Sequence, residues 1–298
     1  MAKILGPTVF AFIAWHALGV DASPQWYDQD YGPQARIHAG DPVRQNIYPF
    51  VVRITVEHNE NARYPGPDEA CRDAYPSSGQ PYYPKVCTGA VITRRHVLSS
   101  ARCLRPRNYH AQYSVHFGAA NVDRQKPKKV TRIFRHHNCT LYGGLQRAGH
   151  DLAVFQVAND FPDAVTPIQL PKAFPSYLFG EELDTAGWGN LNEGYGNVQH
   201  SRQLQQAILR LQRGKVCREY LDNWILEGQV CTTAVRGYPQ QDDFGAPLWY
   251  NEGGWRLLGV FSWYAETYDG DVVSVFTTTT DHQKWLQQFT RNKRRQYE

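Results

Sequence analysis

The chain is 298 residues long, 42% hydrophobic and 13% aromatic, with a formal net charge of +4. This composition excludes intrinsic disorder, and the length suffices for one two-lobed β protein or two small domains with a sizeable core. No nucleic-acid partner is expected.

In chain order, Met1-Ala2-Lys3 and the apolar run from Ile4 to Val20 end at the small-residue step Val20-Asp21-Ala22. Residues 1–22 therefore read as a secretory signal peptide cleaved after Ala22. Pro7, Thr8 and His16 interrupt a run that is short for a bilayer span, and no other stretch is apolar enough to cross a membrane. The mature protein is expected to be secreted and extracellular, where an even number of cysteines, six, implies disulfides. No close Cys-x-x-Cys couple supplies tetrahedral ligands, so no metal is expected, nor any cofactor.

Residues 23–36 are polar and turn-rich, a short propeptide-like segment whose last residue, Arg36, precedes Ile37-His38-Ala39-Gly40. The run Phe50 to Val56 is β-branched and aromatic and reads as a strand. Glu57 to Val86 is crowded with Pro, Tyr, Gly and Asn and reads as a long surface loop, suited by its tyrosines to binding a partner. Val115 to Gly118 and Val130 to Phe134 read as further strands. Around them Arg124, Lys126, Lys128, Lys129, Arg132 and Arg135 accumulate with no acidic residue among them. Such a run is either a solvated face or a site for a sulfated glycan or other polyanion. Asn138-Cys139-Thr140 is the one glycosylation sequon, at Asn138. Leu204 to Leu211 alternates as a strand, and Lys215 to Leu221 suits a short helix carrying Cys217. Asp281 can cap a last helix with Trp285, Leu286 and Phe289 on one face, before a basic tail at 291–298. Nothing repeats, and no linker separates independent domains.

Six short stretches give this order a meaning: Cys87-Thr88-Gly89-Ala90 with Ser99-Ser100-Ala101-Arg102-Cys103, then Asp151-Leu152-Ala153-Val154, Gly187-Trp188-Gly189, and Asp242-Asp243-Phe244-Gly245-Ala246-Pro247-Leu248 with Phe261-Ser262-Trp263. Together they resemble the chymotrypsin-like, or peptidase S1, family of serine proteases over residues 37–290. The resemblance implies an all-β fold of two six-stranded antiparallel β-barrels with a C-terminal α-helix. It also implies disulfides between Cys87 and Cys103 and between Cys217 and Cys231, which leaves Cys71 and Cys139 to each other. Ile37 and Asp243 match the family's activation pair, in which a freed amine meets a buried carboxylate. Arg36 is either the cleavage point that frees Ile37 or an uncut loop residue.

The same alignment finds the catalytic positions altered. Arg102 stands where the family has its histidine, Phe244 where it has its serine, and only Asp151 keeps the triad's residue type. A guanidinium offers donors only, and a phenyl ring offers neither a lone pair nor a labile proton. Asp242 replaces the glycine whose amide helps bind the oxyanion. Tyr238 stands at the pocket floor, Tyr264 and Ser274 replace wall glycines, and Gln240 occupies one place of a bracing cysteine pair. His96 is the nearest imidazole and reads as structural. Arg102 and Asp151 are expected to form a partly buried ion pair. The resulting expectation is a serine protease homologue without catalysis, a cofactor, decoy or regulator in an extracellular cascade. Its partner would be a protease, zymogen or inhibitor. The alternatives are an endopeptidase with an unorthodox nucleophile, with Ser99, Ser100 and Ser262 at scaffold positions, or a polyanion-binding module.

Overall fold

The computed structural model describes residues 37, 40–45, 47–59, 71–73, 84–105, 110–142, 147–190, 199–267 and 269–290. The expected leader at 1–22, the segment 23–36, most of the 57–86 loop and the tail 291–298 lie outside the described residues.

The first barrel is made by β1 (Val51–His58), β2 (Val86–Thr93), β3 (His96–Ser99), β4 (Ala111–Phe117), β5 (Lys126–Arg135) and β6 (Ala153–Val157). It closes in the order β6-β3-β2-β1-β4-β5, with β5 antiparallel to β6. β4 shows why these segments form strands: its inward residues Ala111, Tyr113, Val115 and Phe117 are buried and its alternate residues are half-buried, the period-2 pattern of a sheet with one face on a core.

The second barrel is built from β7 (Glu182–Gly187), β8 (Gln205–Leu211), β9 (Gln229–Arg236), β10 (Pro247–Asn251), β11 (Trp255–Glu266) and β12 (Val272–Thr278). It runs β8-β7-β10-β11-β12-β9 and is closed by β8 pairing with β9, while Asp41–Pro42 adds to the outside of β8. A short helix, α1 (Gly214–Tyr220), carries Cys217, and a C-terminal helix, α2 (Gln283–Thr290), buries Trp285 and Leu286. All described residues belong to one compact unit, Ala35–Glu298.

The barrels are joined by side chains that both contribute. Tyr48, Phe50, Trp249 and Trp255 form one aromatic cluster with ring centroids 4.8–6.3 Å apart, and the Trp188 indole N–H donates to Ala120 C=O at 2.8 Å. Such edge and tilted pairs each add about 0.5–1.5 kcal/mol beyond the area they bury. All three disulfides form, Cys87 with Cys103, Cys217 with Cys231 and Cys71 with Cys139.

Two expectations are corrected. The 57–86 stretch is not all surface loop: β1 extends to His58, Cys71 is buried, and Arg72–Asp73 pairs in parallel with Thr140–Leu141. The third disulfide pins the middle of the stretch to a small sheet that also holds Arg147–Gly149. Asp281 does not cap α2, because its carboxylate accepts the hydroxyls of Thr278 and Thr280 instead.

Candidate functional site

Arg102, Asp151 and Phe244 meet at the junction of the two barrels. Ser100 starts a single 3-10 turn, Ala101–Cys103, by accepting the Arg102 N–H at 3.1 Å, and that turn carries the Arg102 side chain into the interface. Asp151 stands just ahead of β6 and is fully buried. It accepts the Ser100 hydroxyl at 2.8 Å, the Ser262 hydroxyl at 2.6 Å and the Arg102 N–H at 3.1 Å. Ser262 reaches it because the β11–β12 register shifts between Phe261 and Trp263, a bulge that re-aims one side chain.

The Arg102 guanidinium lies 3.5 Å from Asp151 through Nε, without a hydrogen bond, and its Nη2 is buried and unpartnered. Its other face rests on Phe244, Cζ standing 5.2 Å from the ring centroid, and Phe244 stacks in turn on Phe261 at 5.9 Å. Arg102 and Phe244, the two residues expected at the histidine and serine positions, thus pack on each other in a cation–π contact. Burial pulls the guanidinium down to about 10, with Asp151 opposing.

The loop beneath Phe244 is held by close approaches that require glycine. Gly245 has φ +82°, and a Cβ there would land on Ser99 Oγ and Thr88 C=O. A Cβ at Gly187 or Gly189 would land on the Asp243 carboxylate, which accepts the amides of Gly189 at 2.8 Å and Gln240 at 3.1 Å. Asp243 is fully buried, and burial, with Asp242 adding to it, raises it to about 7. Ile37 is buried in the core, and Asp243 is held by those two amides. Asp242 sits at φ +68°, a left-handed backbone that glycine takes without cost, and its Oδ2 lies 2.9 Å from His200 Nε2.

The residues expected at the pocket positions also gather. Tyr238 and Tyr264 face each other at 6.5 Å between ring centroids, Gln240 donates to the Tyr238 hydroxyl at 3.3 Å, and Tyr264 stands opposite Ser274 in the β11–β12 ladder. Both tyrosines are half-buried. Ser99 and Ser100 are fully buried, as is Ser262, and Ser99 donates to Thr88 C=O at 2.6 Å. His96 contacts Thr93 Oγ1 at 2.7 Å and the Phe289 ring of α2, away from this junction's residues.

Of the basic run, Arg124, Lys126, Lys129 and Arg132 are exposed, whereas Lys128 lies over Phe117 and Phe161 and Arg135 donates to His136 C=O. Asn138 is exposed. A second constellation, His136, His150 and His282, has no signal in the sequence, where no Cys-x-x-Cys or His-x-x-His couple marks it. These histidines are up to 146 positions apart in the chain. Burial, then the neighbouring imidazoles of His282, His137 and His150 and the Arg135 charge, push His136 down to about 3.

A double barrel with its junction built from these motifs defines a serine-protease-like protein. The Trypsin family model matches residues 64–286, and the chain belongs to that family, the chymotrypsin-like peptidase S1 proteins. Human transmembrane protease serine 11B is 26% identical over 208 residues, which is 67% of this chain and 48% of that protein. The chain thus spans about half the length of this curated relative. Among solved structures, mouse neuropsin, a serine protease expressed in the limbic system of the brain, superposes with a TM-score of 0.61 at 20% identity. That match covers 84% of this chain and 97% of neuropsin, and it carries the fold alone. No helix among the described residues is long and apolar enough to cross a membrane.

Proposed function

We propose that this chain is a secreted serine protease homologue that binds without cleaving, a cofactor, decoy or regulator for a protease, zymogen or inhibitor in an extracellular cascade. The observation that carries the reading is the Arg102 guanidinium lying over the Phe244 ring at 5.2 Å. A permanent cation and a hydrocarbon occupy the space where a base and a nucleophile would exchange a proton. Asp151 has its oxygens satisfied by two hydroxyls and an amide, and the three nearby serine hydroxyls are committed to Asp151 or Thr88. Three disulfides support an oxidising compartment.

Loss of nucleophile or base alone costs about a millionfold in turnover in a serine protease. The purified protein is expected to stay unlabelled by a fluorophosphonate probe and to leave a fluorogenic peptide library uncut, beside an active protease of the same fold. A stoichiometric acyl or phosphonyl adduct on any serine would overturn the reading. The binding rim is assigned to the 57–86 stretch, tested by affinity capture from the native secretion with residues 60–70 and 74–83 deleted. Cys71 must be spared, since it closes a disulfide. Capture unchanged by the deletion would remove the stretch from the binding surface.

The exposure of Arg124, Lys126, Lys129 and Arg132 favours a second surface, for a sulfated glycan. Exposed charges more than about 8 Å apart are screened at 0.15 M salt. A dedicated site is therefore expected to hold heparin above that salt, and the Lys126→Ala/Lys129→Ala variant to elute earlier. Co-elution of the two proteins would reduce the run to a solvated face.

A further inference from the structure

We propose that His136, His150 and His282 form a binding site for a divalent transition metal, with Zn²⁺ as the best fit. One ring nitrogen from each lies within 4.8 Å of the others, and the ring centroids are 5.1–5.2 Å apart. They arrive from separate parts of the fold: His136 follows β5, His150 precedes Asp151, and His282 opens the way into α2.

The hydrogen bonds already hold one ligand as a metal site would. His282 Nδ1 is 2.8 Å from the Thr278 carbonyl, which can only accept, so the ring's proton is on Nδ1 and Nε2 carries a lone pair. Metal-bound histidines are oriented by this kind of outer bond to a backbone carbonyl. That Nε2 lies 2.9 Å from His150 Nδ1, which donates to it in the absence of metal. Moving the His150 proton to its own Nε2 turns two facing nitrogens into two lone pairs, with no net loss of a proton from the protein. His136 supplies the third nitrogen and, whichever of its ring nitrogens binds, gives up the long 3.4 Å bond that its Nδ1 accepts from the Asn138 N–H. Tetrahedral Zn–N bonds of about 2.0–2.1 Å put ligand nitrogens about 3.3 Å apart, so with all three within 4.8 Å no pair has to close by more than about 1.5 Å.

The three rings line a cavity of about 540 Å³, open enough for a water or a carboxylate as the fourth ligand. Glu227 and Asp281 face the same cavity and offset the charge of an ion held by neutral imidazoles. An all-imidazole set selects Zn²⁺, Cu²⁺ or Ni²⁺ over Mg²⁺ and Ca²⁺, which take oxygen. Among the described residues the other three-residue cluster, Cys71, Cys139 and Asp151, has no thiolate to offer, because its cysteines are joined in a disulfide.

The test is calorimetric titration of the full secreted protein with ZnCl₂ in a non-chelating buffer, and with CoCl₂ followed by visible absorption. The variants are His150→Asn, whose residue suits the φ of +48°, His136→Gln, and the exposed neighbour His137→Gln as control. One equivalent of Zn²⁺ is expected to bind, to raise the melting temperature, and to give tetrahedral Co²⁺ bands. Either ligand variant is expected to weaken binding by more than the roughly 10–100-fold typical of losing an outer-shell partner, and His137→Gln to leave it unchanged. No stoichiometric binding, or equal affinity in His150→Asn and the unaltered protein, would overturn the site. Far-ultraviolet circular dichroism identifies a variant that fails to fold, and since His150 is half-buried, His150→Asn keeps the test open if His136→Gln misfolds.

Discussion

Asp151→Ala is expected to cost about 4 kcal/mol of folding stability and Arg102→Ala only about half of that, although the two residues face each other in one ion pair. The asymmetry follows from what each removal leaves behind. Without its carboxylate, the junction retains a buried guanidinium whose Nε and Nη2 have no hydrogen-bond partner, together with the orphaned hydroxyls of Ser100 and Ser262. Uncompensated buried charge is the costly outcome, on the order of 3–5 kcal/mol. Without its guanidinium, the carboxylate still accepts two hydroxyls and the residue-102 amide, each at 2.6–3.1 Å. What is lost is the cation–π contact on Phe244, about 1–2 kcal/mol when desolvated, and the packing of the alkyl stem. The cation was already disfavoured, as the downward shift of Arg102 by burial indicates. Urea unfolding with the disulfides intact measures both. Equal losses, or a larger loss for Arg102→Ala, would mean that the ion pair dominates and the serine hydroxyls contribute little.

The parts of this fold that were legible in the sequence are those fixed by local constraint. β-branched runs marked the strands, and the glycines at 187, 189 and 245 stand where a side chain would collide with Asp243 or Ser99, so packing alone fixes that part of their motifs. Arg102, Asp151 and Phe244 ride on those motifs, and the fold brings the three together. What stayed hidden depends on convergence across the chain. Nothing in the spacing of residues 102 and 244 announces that a guanidinium stacks on a phenyl ring, and nothing links His136 and His150 to a histidine 132 positions beyond the second of them. Asp281 misled because helix-capping preference is a local rule, and two threonine hydroxyls outcompeted the helix amides for its carboxylate.

Asp243 sets the second large expectation, a loss of stability as pH rises from about 4 to about 7. Its carboxyl is raised from 3.8 to about 7 by burial first, with the amides of Gln240 and Gly189 opposing and Asp242 adding to the rise. Over that window the folded state binds the proton that the unfolded chain has released, so stability is full below the unfolded value and falls through the folded one. A shift of about three units corresponds to on the order of 4 kcal/mol. His136, moved from 6.5 to about 3, acts in the opposite sense across the lower part of the range, because its unfolded form takes up the proton there. The quantity to measure is therefore the difference between the unaltered protein and Asp243→Asn as a function of pH. Asparagine keeps one acceptor for the two amides, so the variant is expected to be weaker at pH 4 and to gain on the unaltered protein steadily towards pH 7. Cleavage after Arg36 would reverse the trend, since an Ile37 ammonium brought to Asp243 gives the buried anion the cation it lacks and lowers its pKa. A flat difference profile on the uncut chain would mean that Asp243 is ionised at little cost, and no incoming amine would then be needed to balance it.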